Sequence, residues 1–362
     1  MKIVAYSDLH QHEYKSHSWL TEDGLNSRVV DTTNAVKKIY EHAGSIGAPV
    51  FFLGDMFQIK GEVPVTGFNE LYNVISRRFC LVEGKVMDIM IPGNHDMATA
   101  DGSRHALEVF NQGSNHVASA PVVLNPWPGI VIAAIPFPME NGKFSASKFA
   151  AAYNHVVEQV NRYDSTCTRI LMSHCYTQEL MKKYHDLSGD VVGRNLLVDF
   201  DIVLLGHHHI HDVIESEDGR KCVSVGAPLQ HTFNDVGEKR GFVVVDTETR
   251  EVEHHVLESR KFWAFDGEKA IVPEKAAGSF VRARVGSKTE GERVRKELEK
   301  AGAASITIEV VPKTPKKTRL DIKTGAKDDE IVQKFLESEF CTTELPKAEL
   351  AGLARDYLAK VS

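Results

Sequence analysis

The chain of 362 residues has no apolar run approaching the roughly 20 residues that a membrane-spanning helix requires. Its start, Met1 to His10, is a short strand-like run ending in polar side chains rather than a secretory leader. The expected address is the cytoplasm, or the host cytoplasm for a viral source, with no membrane partner. Cysteine is scarce. Cys80, Cys167, Cys175, Cys222 and Cys341 are odd in number, scattered and never spaced as CxxC, which argues against a disulfide framework or a structural zinc site. No GxxxxGK[ST] phosphate loop occurs, so any ATP-driven step must come from another chain. Internal repeats and low-complexity tracts are also missing. With 42% hydrophobic and 26% charged residues, the composition is that of an ordinary folded protein.

Histidine, in contrast, is abundant. Seventeen copies of the commonest transition-metal ligand make a metal enzyme worth testing. The net charge of −7 divides unevenly: residues 1–259 carry 22 Lys+Arg against 33 Asp+Glu, and residues 260–362 carry 21 against 17. Bound divalent cations in the first region would offset much of its acidic excess.

Short β-branched segments alternate with amphipathic helices over the first 210 residues, the pattern of a layered α/β fold. Strands are expected at Lys2–Ser7, Pro49–Leu53, Val86–Ile91, Ile130–Ile135, Arg169–Met172 and Asp201–Leu205, with a helix near Val29–Ile46. Beyond Gly206 come strands without helices, at Lys221–Val225, Gly241–Asp246 and Glu251–Leu257. The large domain is expected to span residues 1–260. A small α+β domain, 261–320, follows with strand Ser279–Val285, helix Thr289–Ala301 and strand Ser305–Val311. The last segment, 321–362, reads as two amphipathic helices, Asp328–Phe340 and Lys347–Val361.

Five polar clusters each follow an apolar strand: Asp8-Leu9-His10, Gly54-Asp55, Gly93-Asn94-His95-Asp96, Ser173-His174 and Gly206-His207-His208-His209. Ligands gather at the carboxyl ends of strands in open α/β sheets, so the five can converge on one pocket. The glycines before Asp55, Asn94 and His207 suggest tight turns. Asp8 and His10 lie two apart, as do His207 and His209, so each pair can point one way if the backbone stays extended. Two aspartates, an asparagine and four histidines, with no thiolate, suit Mn²⁺, Fe²⁺ or Zn²⁺. Seven ligands exceed one tetrahedral site, and a bridging carboxylate would let them hold two ions about 3.5–4 Å apart. A single such cluster is more often structural, whereas an ordered set of five is not.

The order DLH, GD, GNHD, SH, GHHH resembles the calcineurin-like metallophosphoesterases, whose fold is a β-sandwich flanked by helices around a dinuclear metal site. Ser224-Val225-Gly226-Ala227-Pro228, then Phe233-Asn234-Asp235 and Lys239-Arg240-Gly241-Phe242, look like the SbcD branch of DNA repair nucleases, including its bacteriophage versions. The resemblance implies Asp8, His10, Asp55 and His209 on one ion and Asp55, Asn94, His174 and His207 on the other. The cofactor it implies is two divalent ions, Mn²⁺ foremost, with Mg²⁺, Fe²⁺ or Zn²⁺ as alternatives. His95 would protonate the leaving oxygen or stabilise the transition state. Gln58 departs from the family, which often has a histidine or aspartate there to assist the catalytic histidine. Glutamine carries no charge, so Asp96 could take part of that role. Lys313, Lys316, Lys317 and Arg319 are candidates for tracking DNA phosphates. The resemblance implies a homodimer within a heterotetramer whose other subunit is an SbcC-type coiled-coil ATPase. The expected function is a DNA-end nuclease, exonuclease or endonuclease, in recombination and repair; the alternative is a small-molecule or nucleotide phosphodiesterase or phosphatase on the same fold.

Overall fold

The computed structural model describes residues 1–81, 88–178, 191–193, 195–266, 271–311, 328–338, 341 and 345–361. Two six-stranded mixed sheets lie face to face. The first runs, in spatial order, Val252–Val256, Gly241–Asp246, Lys2–Tyr6, Val50–Phe52, Asp88–Met90 and Asn115–Val117. The second runs Asp212–Glu215, Lys221–Ser224, Ile202–Gly206, Thr168–His174, Ile130–Ile135 and Val122–Trp127. Their central strands are parallel; antiparallel neighbours close three of the four edges, and Asn115–Val117 joins the fourth in parallel.

Side-chain alternation explains the layers. Ile3, Ala5, Phe51 and Leu53 meet Ile132, Ile170, Met172 and Leu204 between the sheets. The alternate residues Val4, Tyr6, Val50 and Phe52 face the helices Ser27–Ser45 and Val65–Leu81. On the far side Val131, Leu171 and Val203 pack on Phe149, Tyr153 and Val156 of the helix Ala146–Val160. Central strands buried on both faces read as continuous apolar runs, and these, together with the edge strand Val252–Val256, are the strands legible in the sequence. The strands Asn115–Val117, Val122–Trp127 and Asp212–Glu215, absent from the sequence reading, are all edge strands. They are short or half-buried, and Val122–Trp127 contains Pro126 at a register shift, so none carries a clean pattern.

A smaller layer follows. Three parallel strands, Phe262–Asp266, Phe280–Val285 and Ser305–Val310, are covered by the helix Lys288–Lys300, with Val281, Ala283, Val294 and Leu298 at its core. The first of these was not anticipated as a strand; Phe262 is buried, while Trp263 and Phe265 stack with centroids 4.6 Å apart. The helices Asp328–Glu337 and Lys347–Val361 contact each other, and Ile331, Phe335 and Leu353 stay exposed. No helix among the described residues is long and apolar enough to cross a membrane.

Leu204 is fully buried between the sheets. Leu204→Ala is expected to lower unfolding stability by about 2–5 kcal/mol, read as a reduced urea midpoint.

Candidate metal centre

The parallel strands of both sheets end at one edge of the sandwich, and their carboxyl ends deliver all five polar clusters there. Asp8 and His10 follow Lys2–Tyr6, Asp55 follows Val50–Phe52, Asn94 and His95 follow Asp88–Met90, His174 ends its strand, and His207 and His209 follow Ile202–Gly206. The structure brings ligand atoms of Asp8, His10 and His209 within 4.8 Å of one another, and likewise those of Asp55, His174 and His207. Asn94 Oδ1 lies 3.1 Å from His174 Nε2. His10, Asp55 and His95 form a third such group between them.

The backbone does not follow the extended path that the two-residue spacing suggested. Asp8, His10, Asp55 and His207 have φ of 53°, 49°, 62° and 83°, a left-handed region costing of order 1–3 kcal/mol each for non-glycine residues. Turning, rather than extension, aims these side chains inward. Among the three glycines, only Gly54 has a positive φ, 96°. Gly93 and Gly206 are needed for space: a Cβ would stand 2.2 Å from Asp55 Oδ1 in the first case and 2.2 Å from the Leu53 carbonyl in the second.

Asp55 joins the two ligand groups. Its Oδ1 accepts the His95 backbone N–H at 2.8 Å, while Oδ2 faces His174 Nε2 at 3.3 Å and His10 Nε2 at 3.8 Å. Burial works to raise its pKa, but the charge and hydrogen bond of His174 hold it well below the usual carboxylate range. His174 donates Nδ1–H to the Leu53 carbonyl at 2.6 Å, which leaves Nε2 aimed at two oxygen acceptors. Burial lowers its pKa, and the Asp55 carboxylate more than reverses this, to about 9. The other group is equally rich in lone pairs. His10 Nε2 and His209 Nε2 are 3.0 Å apart, with Asp8 Oδ1 4.0 Å from one and 3.8 Å from the other, and burial holds His10 neutral. Converging lone pairs with too few protons between them fit a cation, so this donor set matches two divalent ions sharing Asp55.

The remaining predicted residues fall into different places. His95 donates Nδ1–H to the backbone carbonyl of Gln58 at 2.6 Å, so Gln58 orients the imidazole with its main chain. The Gln58 side-chain Oε1 instead lies 3.3 Å from the Tyr14 hydroxyl, whose one proton goes to the nearer His10 carbonyl. Asp96 is buried, and its two oxygens accept from the N–H groups of Gly93, Asp55, Met56 and, more weakly, Phe57. It ties the Asp55 turn to the Asn94-His95 turn. Burial and the Asp55 charge raise its pKa to about 7, against the pull of those amides. His208 is buried near Ser224 Oγ, 3.3 Å from Nδ1, and His211 donates to the Ser224 carbonyl, so neither joins the ligand groups. Lys313, Lys316, Lys317 and Arg319 lie outside the described residues.

Three supports escaped the sequence reading. His231 donates Nε2–H to the Asp8 carbonyl at 3.0 Å and packs its ring 5.3 Å from that of His10. Tyr14 donates to the His10 carbonyl at 2.9 Å. Arg240 and Asp235 form a buried ion pair in which Arg240 also donates to the His209 carbonyl and Asp235 accepts the N–H of His231 and Thr232. The two motifs containing Asp235 and Arg240 were visible in the sequence; that they clamp the His209 loop was not.

A profile of the calcineurin-like phosphoesterases matches residues 1–211. No curated protein sequence matches the chain. Among solved structures, a dimetal phosphatase from Danio rerio is similar at 10% identity, with 67% of this chain and 91% of that chain covered and a TM-score of 0.40. A phosphopantetheinyl hydrolase from Mycobacterium tuberculosis is similar at 14% identity, with 63% and 90% covered and a TM-score of 0.36. With the five motifs gathered at one sandwich edge and the profile spanning more than half of the sequence, the chain belongs to the calcineurin-like phosphoesterase family.

Proposed function

We propose that this phosphoesterase is a Mn²⁺-dependent nuclease that hydrolyses phosphodiester bonds at DNA ends in recombination and double-strand-break repair, as a homodimer partnered by an SbcC-type coiled-coil ATPase. Its family supplies the phosphoester chemistry. The observation that carries the reading to DNA is the segment after the metal motifs. The SbcD-like stretches are built against the metal loops: a Cβ on Gly226 would meet the His211 N at 2.7 Å and the His209 carbonyl at 3.0 Å, and Asp235 and Arg240 clamp the same loop. The capping sheet, made of the strands Phe262–Asp266, Phe280–Val285 and Ser305–Val310, and the two terminal helices then add surface beyond the metal loops, and the exposed Ile331, Phe335 and Leu353 offer apolar contact to a partner.

Asp8, His10, Asp55 and His209 would hold one ion, and Asp55, Asn94, His174 and His207 the other. Two divalent cations bound there would supply Lewis-acid polarisation of a phosphoryl oxygen and a nucleophile at neutral pH. The chain's own residues do the rest. Asp96 fixes the spacing of the two loops that carry Asp55, Asn94 and His95. His95 has Nδ1–H committed to Gln58, so Nε2 is the atom that can pass a proton to the leaving oxygen. Because the Gln58 contact is a main-chain carbonyl, the uncharged side chain at that position does not deprive His95 of its orienting partner.

Labelled linear double-stranded DNA and bis(p-nitrophenyl) phosphate, each with Mn²⁺, Mg²⁺ or EDTA, test the reading. Cleavage of the DNA with Mn²⁺ and none with EDTA is expected; cleavage of the chromogenic diester with intact DNA would favour a small-molecule phosphodiesterase. His95→Ala is expected to retain its metal by elemental analysis and to lose about 10²–10⁴-fold in rate. Gln58→Ala should stay within about threefold of wild type, since the carbonyl that holds His95 remains.

A further inference from the structure

Arg28 lies in the first turn of the helix Ser27–Ser45, only 5% exposed; among the described residues no carboxylate comes within ion-pair contact of it, and Asp31 and Asp235 act on it only through space. A desolvated guanidinium with no carboxylate in contact is costly unless other groups face it. Here aromatic rings do so. Its Cζ stands 4.6 Å from the centroid of Tyr14 and 5.3 Å from those of Phe262 and Phe280. Phe262 and Phe280 are partners on adjacent strands of the capping sheet, with ring centroids 5.0 Å apart. The remaining contact is polar: Nη2 donates to the His231 carbonyl at 3.3 Å.

Both of its partners outside the capping sheet support ligands of the same ion. Tyr14 donates to the carbonyl of His10, and His231 donates to the carbonyl of Asp8. The segment between His10 and this helix runs the same way. His17 packs against Phe262 and Phe280 and reaches Ser305 Oγ at 3.1 Å, Trp19 meets Phe280, and Asn26 both caps the helix and donates to the Tyr14 carbonyl. One buried cation therefore touches the capping sheet on one side and, through a single intervening residue each, Asp8 and His10 on the other.

We propose that Arg28 is a positioning residue that locks the seat of the capping sheet to the geometry of the Asp8, His10 and His209 ligand group, so that displacing the sheet weakens binding at that position. Two contacts of different kinds meet on one planar group, which Lys cannot reproduce: its ammonium keeps the charge and loses both the stack and the fork of donors. The inference rests on the two-ion site and is independent of whether the substrate is DNA. It also makes binding of one ion sensitive to whatever the capping sheet engages.

Equilibrium dialysis of the full chain against Mn²⁺ tests it. Arg28→Lys should bind one of the two ions about 10–100-fold more weakly and the other as wild type does. Hydrolysis of bis(p-nitrophenyl) phosphate should fall at low Mn²⁺ and recover at saturating Mn²⁺, with KM for the diester unchanged. Phe280→Leu, placed in the capping sheet with no ligand contact, should weaken the same ion about three- to tenfold. In the double variant the two losses should combine to less than their product, because they act through one contact. Wild-type binding of both ions in Arg28→Lys and Phe280→Leu, or equal weakening of both ions, would overturn the proposal. If Arg28→Lys does not fold, Phe280→Leu decides the question by the same dialysis. Because dialysis reads metal alone, intact DNA in a cleavage assay would count against the nuclease reading and leave this test standing.

Discussion

The Asp55 carboxylate sits where the two sheets meet, within reach of candidate ligands from both. One of its oxygens accepts the backbone N–H of His95, and the other faces His174 and His10 from opposite ligand groups. Beneath it, Asp96 gathers the amides of residues 55, 56, 57 and 93, so the turn bearing Asp55 and the turn bearing Asn94 and His95 cannot separate. Glycines at 54, 93 and 206 let the three loops approach to distances at which any Cβ would collide. The result is a rigid edge on which both imidazoles and carboxylates are already aimed before anything binds.

Holding that edge together has a cost that the sandwich must cover. Four ligand residues sit in left-handed backbone geometry, and two carboxylates, Asp55 and Asp96, are buried side by side. Their environments diverge. Asp55 is held ionised by His174, whereas Asp96 is pushed upward by burial and by Asp55 itself. Positive charge placed between the two ligand groups would relieve both the repulsion and the unshared lone pairs at His10 and His209. Continuous apolar packing between the sheets, from Ile3 through Phe51 to Leu204, is the counterweight that keeps such a site folded.

Much of this was legible in the sequence because both features leave periodic or clustered marks. Strands buried on two faces, such as Lys2–Tyr6 and Ile130–Ile135, read as unbroken apolar runs, and a polar cluster directly after a run marks its carboxyl end. Apart from the helices Val65–Leu81 and Ala146–Val160, which the reading did not place, what escaped depends on contacts without a period. The edge strand Asp212–Glu215 leaves every residue partly exposed, and Asn115–Val117 is only three residues long with a polar side chain at a buried position, so neither shows an apolar alternation. The Gln58 carbonyl behind His95 is a main-chain atom and has no letter in the sequence. Asp96 reads as a possible proton partner until its oxygens are seen to be taken by amides. Arg28, His231 and Tyr14 carry no metal-ligand spacing, and only the folded chain brings them beside Asp8 and His10.

The central claim is that one carboxylate joins two cation positions. Metal content of Asp55→Asn, measured by equilibrium dialysis beside wild type and a thermal melt, addresses it directly. Two Mn²⁺ ions per wild-type chain and weakening at both positions in folded Asp55→Asn are the predicted result, because the amide nitrogen cannot replace the lost oxygen. A folded Asp55→Asn that still binds two ions with wild-type affinity, or a wild-type chain that saturates at a single ion, would contradict the account.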